Sequence, residues 1–373
     1  MNNMEEKLKS VFSVEGKVIN EVCEQVSFNS ILPYQIKYKK MEVVLYGIGG
    51  KAFHCLNWLR TVGIEPICIT DKKELLDSDI FFGIPQISIN EISNYINGRK
   101  ICALLCDTSL RYDYNLDIAR KLLYNAGISC IYDIKFSNSV YYYEWKYYLC
   151  RHSNDFIESF SFFKDQLSKE IFIEYVRCVM ENDFYRLDNE HTYRKYFGDG
   201  IFNLRKDECF ISCGAYLGDS IFHFVDQYPF ERVYGIEANK NYFDGMVEYL
   251  KALPTEIYDK IDLFCAELSS QGNTALDTLL QNRKVTLISL DVEGAEIGVL
   301  KGAKGIIQSQ RPVLALSAYH KADDLVTLPK IVNQYVDNYS FFLRKYYFGG
   351  LANSKDELVL YAVPNEREKQ YAK

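Results

Sequence analysis

The sequence predicts an α/β protein with two parallel, helix-flanked sheets, a smaller one first and a seven-stranded one after it. Three observations carry this expectation. Apolar strand-like runs alternate with helical patterns twice along the chain, and that rhythm builds a parallel sheet with helical crossovers. The first strand of each alternation, Glu42–Tyr46 and Cys209–Cys213, runs straight into a glycine turn. The second alternation closes on two apolar runs, Tyr339–Arg344 and Leu358–Ala362, joined by a polar loop with Gly349-Gly350. A closing hairpin makes the last strand antiparallel, placed at the sheet edge.

At 373 residues and 48% apolar content the chain can bury two cores. Residues 1–40 read as a helical segment with a turn at Leu32-Pro33, and 41–139 as the first α/β domain. A helical, aromatic connector follows at 140–201, and 202–373 forms the second domain. In the first domain, strands at Glu42–Tyr46, Pro66–Thr70 and Ile101–Leu105 alternate with helical patterns at Ala52 to Val62, Ile89–Ile96 and Leu116–Ala126. In the second, strands are expected at Cys209–Cys213, Arg232–Glu237, Ile261–Cys265, Val285–Asp291 and Val313–Ser317 before the hairpin.

Charge and composition exclude several classes. Net charge is −7, from 43 basic and 50 acidic residues, without the basic stripe of a dedicated nucleic-acid binder. None of the eleven cysteines forms a CxxC pair, and Cys102/Cys106 and Cys209/Cys213 fall in strand-like runs. Buried thiols in a reducing cytosol are expected, with no metal site. No apolar run approaches the roughly 20 residues of a membrane span, and the N-terminus lacks a signal-peptide pattern. The chain is expected to be cytoplasmic.

The first glycine turn is Gly47-Ile48-Gly49-Gly50, with Ala52 at the third glycine position and Asp71 closing the next strand. Glycines there let backbone N–H groups approach a phosphate, while the acid meets ribose hydroxyls. A tight strand–helix turn with no ligand explains the same residues. With Gly83-Ile84-Pro85 downstream, the segment resembles the small Rossmann-like domains attached to bacterial glycan-modifying enzymes, which implies a nucleotide-sugar contact or a scaffold that has lost one.

The second turn is more informative. Strand Cys209–Cys213 enters Gly214-Ala215-Tyr216-Leu217-Gly218-Asp219, and a helix with Ile221, Phe224 and Val225 begins at once. Amides at such a helix start face a ligand at its positive end. Glu237, nineteen residues beyond Gly218, ends the next strand and is placed for ribose hydroxyls. Loop and acid together favour an adenosine-containing ligand.

The fourth strand leads into Asp291-Val292-Glu293-Gly294-Ala295-Glu296. Ligands of open α/β sheets sit beyond the C-terminal strand ends, so Asp291 points into the crevice shared by Gly214 and Glu237. Glu296 fits a first-turn helix position as well as a site role. The fifth strand ends in Ala318-Tyr319-His320-Lys321. Of the five histidines, His320 alone lies at a functional sheet edge; it can take a proton from a hydroxyl at neutral pH, or close the loop by hydrogen bonding. Tyr185, Tyr193 and Tyr196 suit core packing, or a platform for a sugar.

Taken together, Cys213-Gly214-Ala215-Tyr216 with Gly218-Asp219, Gly235-Ile236-Glu237-Ala238-Asn239, Leu290 to Glu296, Leu300-Lys301-Gly302-Ala303 and Ser317 to Lys321 resemble the FkbM family of S-adenosylmethionine-dependent methyltransferases. Phe342 to Tyr346 and Leu358 to Ala362 fit its closing strands, for a coverage of about 160 residues. The resemblance implies a class I methyltransferase fold (a seven-stranded Rossmann-like sheet with an antiparallel last strand), S-adenosylmethionine as cofactor, and methyl transfer to oxygen. It implies a small-molecule or glycan acceptor, a nucleotide sugar among the candidates.

Carried onto this chain, the cofactor falls to Ser212, Gly214, Ala215, Tyr216, Gly218, Asp219, Glu237 and Ala238. Acceptor positioning or proton removal falls to Asp291 and His320, with Lys321 holding an anionic acceptor. One departure stands out: the family commonly has Asp where this chain has Ser212, a hydroxyl that hydrogen-bonds but brings no charge. The alternatives are a nucleotide-sugar or NAD-dependent epimerase or dehydrogenase using the first glycine turn, and a non-catalytic binding protein. The sequence leaves oligomeric state open.

Overall fold

The computed structural model describes residues 2–12, 36–37, 39–76, 78–106, 116–133, 140–181, 191–192, 195–197, 200–346 and 358–369. The turn expected at Leu32-Pro33, Tyr185, Tyr193 and the Gly349-Gly350 loop lie outside these residues. The chain divides into two compact units, one of Ser10–His152 with Val179–Asn182, the other of Met1–Lys9, Ser153–Cys178 and Asp183–Lys373. No helix among the described residues is long and apolar enough to cross a membrane.

The unit of Ser10–His152 holds a six-stranded sheet. Its strands are β1 (Glu42–Tyr46), β2 (Cys68–Asp71), β3 (Ile80–Phe81), β4 (Ile84–Ser88), β5 (Ile101–Leu105) and β6 (Cys130–Asp133), ordered β3-β4-β2-β1-β5-β6. All neighbours are parallel except the β3–β4 hairpin. Both faces of the sheet are covered, so its central strands β1 and β5 are largely apolar. Leu45, Ile69 and Leu104 pack with Leu56 and Leu59 on one side; Val44, Cys68 and Ala103 pack with Ile92 and Leu123 on the other.

Sequence patterning does not reveal β3, β4 or β6. The first two form a hairpin around Phe82-Gly83, both at positive φ, as a two-residue turn of the twist-matching type requires. Gly83-Ile84-Pro85 is therefore a turn feeding β4.

The larger unit carries β7 (His191–Thr192), β8 (Cys209–Cys213), β9 (Arg232–Glu237), β10 (Ile261–Cys265), β11 (Leu287–Leu290), β12 (Val313–Ser317), β13 (Tyr339–Tyr346) and β14 (Leu358–Pro364). Their order is β10-β9-β8-β11-β12-β14-β13-β7. The strand order reverses direction at β8, where β9 lies on one side and β11 on the other. That is where open α/β sheets form a ligand crevice. The last strand is antiparallel as expected, pairing with both β12 and β13.

Two expectations need correction. β14 is not an edge strand but is inserted between β12 and β13. All seven of its residues are buried, and such a run is most stable with partners on both sides. The described sheet also has eight strands rather than seven, because His191–Thr192 adds a short parallel edge to Lys345 and Tyr346. Two residues are too few to show a period.

Candidate active site

The ends of β8 and β11 open on one crevice, with those of β9 and β12 beside them. β8 delivers Gly214 to Asp219, β9 delivers Glu237, and β11 delivers Asp291, with β12 bringing Tyr319 and His320 alongside. The crevice is a cavity of about 830 Å³ whose lining includes Ser212, Gly214, Tyr216, Asp219, Tyr196 and Asp291. Ala215, Gly218, Glu237, Ala238, His320 and Lys321 are not among its lining residues. Ala215 is buried and Ala238 exposed.

Every second residue of the loop after β8, from Gly214 to Gly218, has left-handed backbone. Gly214, Tyr216 and Gly218 have φ of +76°, +50° and +84°. Glycine is required at 214: a Cβ there would lie 1.8 Å from the Asp291 carbonyl oxygen. The tips of β8 and β11 therefore touch through backbone. The helix Asp219–Gln227 starts at Gly218 without a side-chain cap, so its first N–H groups face the cavity end.

Glu237 is buried and ties this loop down. Its Oε2 accepts from the Tyr216 N–H at 2.9 Å and its Oε1 from the Asn239 N–H at 2.7 Å. Each oxygen keeps a further lone pair for a hydroxyl. Ser212, also buried, pairs its Oγ with Ser220 Oγ at 3.0 Å. The Tyr216 ring packs edge-on against Tyr242, with centroids 4.6 Å apart.

Asp291 is approached by four side chains. Its Oδ2 accepts from the Tyr196 hydroxyl at 2.7 Å and from Lys195 Nζ at 3.3 Å. The Tyr319 hydroxyl lies 3.1 Å from both oxygens, and His320 Nε2 lies 3.4 Å from Oδ1. Burial acts to raise its pKa, but Lys195, the tyrosine hydroxyls and His320 outweigh that and hold it below the ordinary carboxylate value. Burial and the Asp291 charge push the Tyr196 phenol well above its usual range, so it stays a proton donor at neutral pH. Tyr196 itself sits at φ +70°, and its backbone N–H donates to the Tyr361 hydroxyl at 2.9 Å.

Behind Asp291 stands a second layer. His320 Nδ1 is 2.8 Å from Glu296 Oε1, and that same oxygen accepts from the N–H groups of Val292 and Gly294 at 3.1 and 3.2 Å. Asp324 Oδ2 accepts from the His320 and Lys321 N–H groups at 2.9 and 2.8 Å. The Lys321 stem passes over Gly294.

Sequence patterning does not single out Lys195 or Asp324 as site groups, leaves Glu296 between a helix start and a site role, and offers Tyr196 only as packing or platform. Tyr196 is 95 residues from Asp291, beyond any local pattern. Asp324 carries a weak signal, four residues after His320 and one into the helix Asp324–Tyr335.

Asp324 supplies a stability prediction. Burial pushes its carboxyl up to about 7, against the Lys321 N–H, with Glu296 and Asp323 adding to the rise. A folded-state pKa above the unfolded value means stability is greatest at low pH and falls as pH rises through about 7. Asn keeps an acceptor for both N–H groups and never ionises. Asp324→Asn is expected to gain on the order of 2 kcal/mol over wild type between pH 5 and pH 8. Urea unfolding at both pH values tests this; equal differences at the two would refute it.

In the smaller unit, Asp71 plays a part like that of Glu237. Its carboxylate accepts from the N–H groups of Ile48 at 3.1 Å and Lys72 at 2.8 Å. Gly47, at φ +99°, would place a Cβ 2.6 Å from the Cys106 carbonyl. Asp71 and the glycines thus build the turn itself.

Residues 267–343 match the family model of the methyltransferase FkbM domain. The match contains the Asp291–Glu296 block and the Ser317–Lys321 strand tip. Among solved structures, the chain is similar to methyltransferase FkbM from Methylobacillus flagellatus KT, with TM-score 0.59 and 19% identity over 96% of this chain and 99% of that one. It is also similar to precorrin-6y C5,15-methyltransferase from Geobacter metallireducens GS-15, with TM-score 0.32 and 17% identity over 43% of this chain and 80% of that one. No curated relative matches the chain. The architecture is that of a class I methyltransferase, Rossmann-like with an antiparallel final strand.

Proposed function

From a chain that carries a methyltransferase FkbM domain, we infer an S-adenosylmethionine-dependent methyltransferase acting on a hydroxyl of a small-molecule or glycan acceptor. The observation that carries the reading is the crevice at the strand-order reversal. There a left-handed loop held by Glu237 opens on the same cavity as Asp291.

The residues present fit the donor. The Gly214 and Ala215 N–H groups are taken by the Ile236 carbonyl, that of Tyr216 by Glu237 and that of Gly218 by the Ala215 carbonyl, so the N–H groups offered to its methionine carboxylate are those of the first turn of the helix Asp219–Gln227. Glu237 retains lone pairs for ribose hydroxyls, Ala238 follows it at the same strand tip, and Ala215 lies inside the loop. Ser212 takes the place of the family's acid with a neutral hydroxyl held by Ser220. The donor supplies an electrophilic methyl carbon on a sulfonium sulfur, so the protein's main task is alignment. Asp291 faces the cavity from the opposite strand tip and orients the acceptor hydroxyl, with Tyr196 and Lys195 holding its carboxylate in place. His320 is the nearest titratable base behind it, and Lys321 serves an anionic acceptor.

Calorimetry with S-adenosylmethionine is the direct test. A dissociation constant between about 1 μM and 1 mM is expected, the range of ordinary substrate constants. Glu237→Ala is expected to weaken binding about tenfold or more, through the lost charge-assisted hydrogen bonds and the released loop. Silence of the folded wild-type chain towards the donor and its demethylated product at millimolar concentration would refute the reading. NAD in the same titration checks the dehydrogenase alternative.

A further inference from the structure

Glu296 is built as more than a helix-start carboxylate. It is 1% exposed, and its Oε1 faces three donors: the Val292 and Gly294 N–H groups and His320 Nδ1 at 2.8 Å. An ionised carboxylate only accepts hydrogen bonds, so Nδ1 must carry the proton. Neutral His320 then has its lone pair on Nε2. Among the described residues that nitrogen is buried without a hydrogen-bond partner, 3.4 Å from Asp291 Oδ1. Asp324 fixes the other end of the residue by accepting the His320 backbone N–H at 2.9 Å.

We propose that Glu296 is a positioning residue that locks His320 in the Nδ1–H tautomer, so that Nε2 receives, by way of Asp291, the proton released by the acceptor hydroxyl. The inference rests on the methyltransferase reading above. As the acceptor oxygen bonds the methyl carbon, the carbon–sulfur bond breaks and its electron pair stays on sulfur. The O–H bond electrons remain with oxygen, and the proton leaves through Asp291 to Nε2. The products are a methyl ether, a neutral thioether and an imidazolium held between two carboxylates. No other reactant is needed.

The charged groups around the imidazole agree with this. Glu296 faces it from the start of the helix Glu296–Gly302. Asp291 and Glu293 face it from the turn after β11, with Glu293 Oε2 3.6 Å from Nε2. Asp324 lies on the helix that follows, and Tyr319 and Lys321 flank it in sequence. Burial opposes the charged ring, but Glu296, Asp291 and Glu293 outweigh it and raise the pKa above the ordinary histidine value. The same carboxylates favour the imidazolium that proton transfer would form.

The test begins on the ligand-free protein. Nitrogen-15 NMR of the imidazoles, with His320 assigned by loss of its signals in His320→Gln, is expected to show the Nδ1–H tautomer above its titration midpoint. An Nε2–H tautomer in wild type overturns the proposal without any variant. Glu296→Gln keeps an acceptor for Nδ1–H but removes the charge. A carboxylate raises the midpoint, so its removal is expected to lower it by about one pH unit. The acid limb of kcat/KM should move down with it. Donor affinity by calorimetry is expected to stay within about threefold, since Glu296 does not touch the donor loop. An unchanged midpoint in a folded Glu296→Gln overturns the role, as does an unmoved acid limb. Failure of wild type to bind the donor would instead defeat the methyltransferase reading and leave the tautomer result standing.

Discussion

Gly214→Ala is expected to give a chain that unfolds much more easily than wild type and no longer binds the methyl donor. The added methyl would lie 1.8 Å from the Asp291 carbonyl oxygen and 2.8 Å from its carbonyl carbon. Both neighbours are backbone, fixed by the pairing of Cys213 with Leu290 and by the Asp291 N–H donating to the Cys213 carbonyl at 3.0 Å. No side chain can swing away, so β8 and β11 must part at their tips. A left-handed non-glycine residue costs about 1 kcal/mol by itself, and prising apart packed backbone brings the total to roughly 3–5 kcal/mol.

Gly294→Ala is the informative comparison. Its φ of +95° carries the conformational cost, but the neighbour a methyl would meet is the Lys321 stem at 3.2 Å. That stem can move, so a loss of only about 1 kcal/mol is expected. Urea unfolding of both variants, with donor calorimetry on each, separates the two effects. Equal stability of the two variants, or wild-type donor affinity in Gly214→Ala, would contradict the backbone contact as the cause.

The second large effect is expected at Asp291. Asp291→Asn keeps the side-chain shape and the backbone carbonyl that meets Gly214, but removes the charge that Lys195, Tyr196, Tyr319 and His320 converge upon. One oxygen becomes an amide NH₂ that faces donors. Methyl transfer is expected to fall about 10²–10³-fold, the usual span for a general acid–base or preorganised electrostatic group. The donor constant should stay within about threefold, because the donor loop hangs on Glu237. Tyr196→Phe removes one donor and is expected to cost about tenfold.

The two residues touch at 2.7 Å, so the double variant should lose less than the product of the single losses. Strict multiplicativity would show that Tyr196 acts independently of Asp291. Retention of more than about a tenth of wild-type transfer by Asp291→Asn would remove the carboxylate from the acceptor site.

Much of this architecture is legible in the chain, because the groups that build a parallel sheet are local. Glu42–Tyr46, Cys209–Cys213 and Val313–Ser317 are continuous apolar runs, and each is a strand at those residues. The glycine turns after β1 and β8 and the acids that end β2 and β9 announce themselves by position. What escapes is short or inserted. His191–Thr192 has no period to read, β3 and β4 are separated only by Phe82-Gly83, and the neighbours of β14 cannot be inferred from its own residues.

The sequence by itself therefore determined where each strand meets its turn, and so that Gly214, Glu237 and Asp291 share one sheet edge. Backbone geometry and hydrophobic alternation act over a few residues and are written locally. Only the tertiary structure decided what surrounds Asp291 and which nitrogen of His320 faces it. Lys195 and Tyr196 reach that carboxylate, Glu296 reaches that ring, and Asp324 accepts the His320 backbone N–H. Their effect depends on burial and on distances of about 3 Å, which residue order does not encode directly.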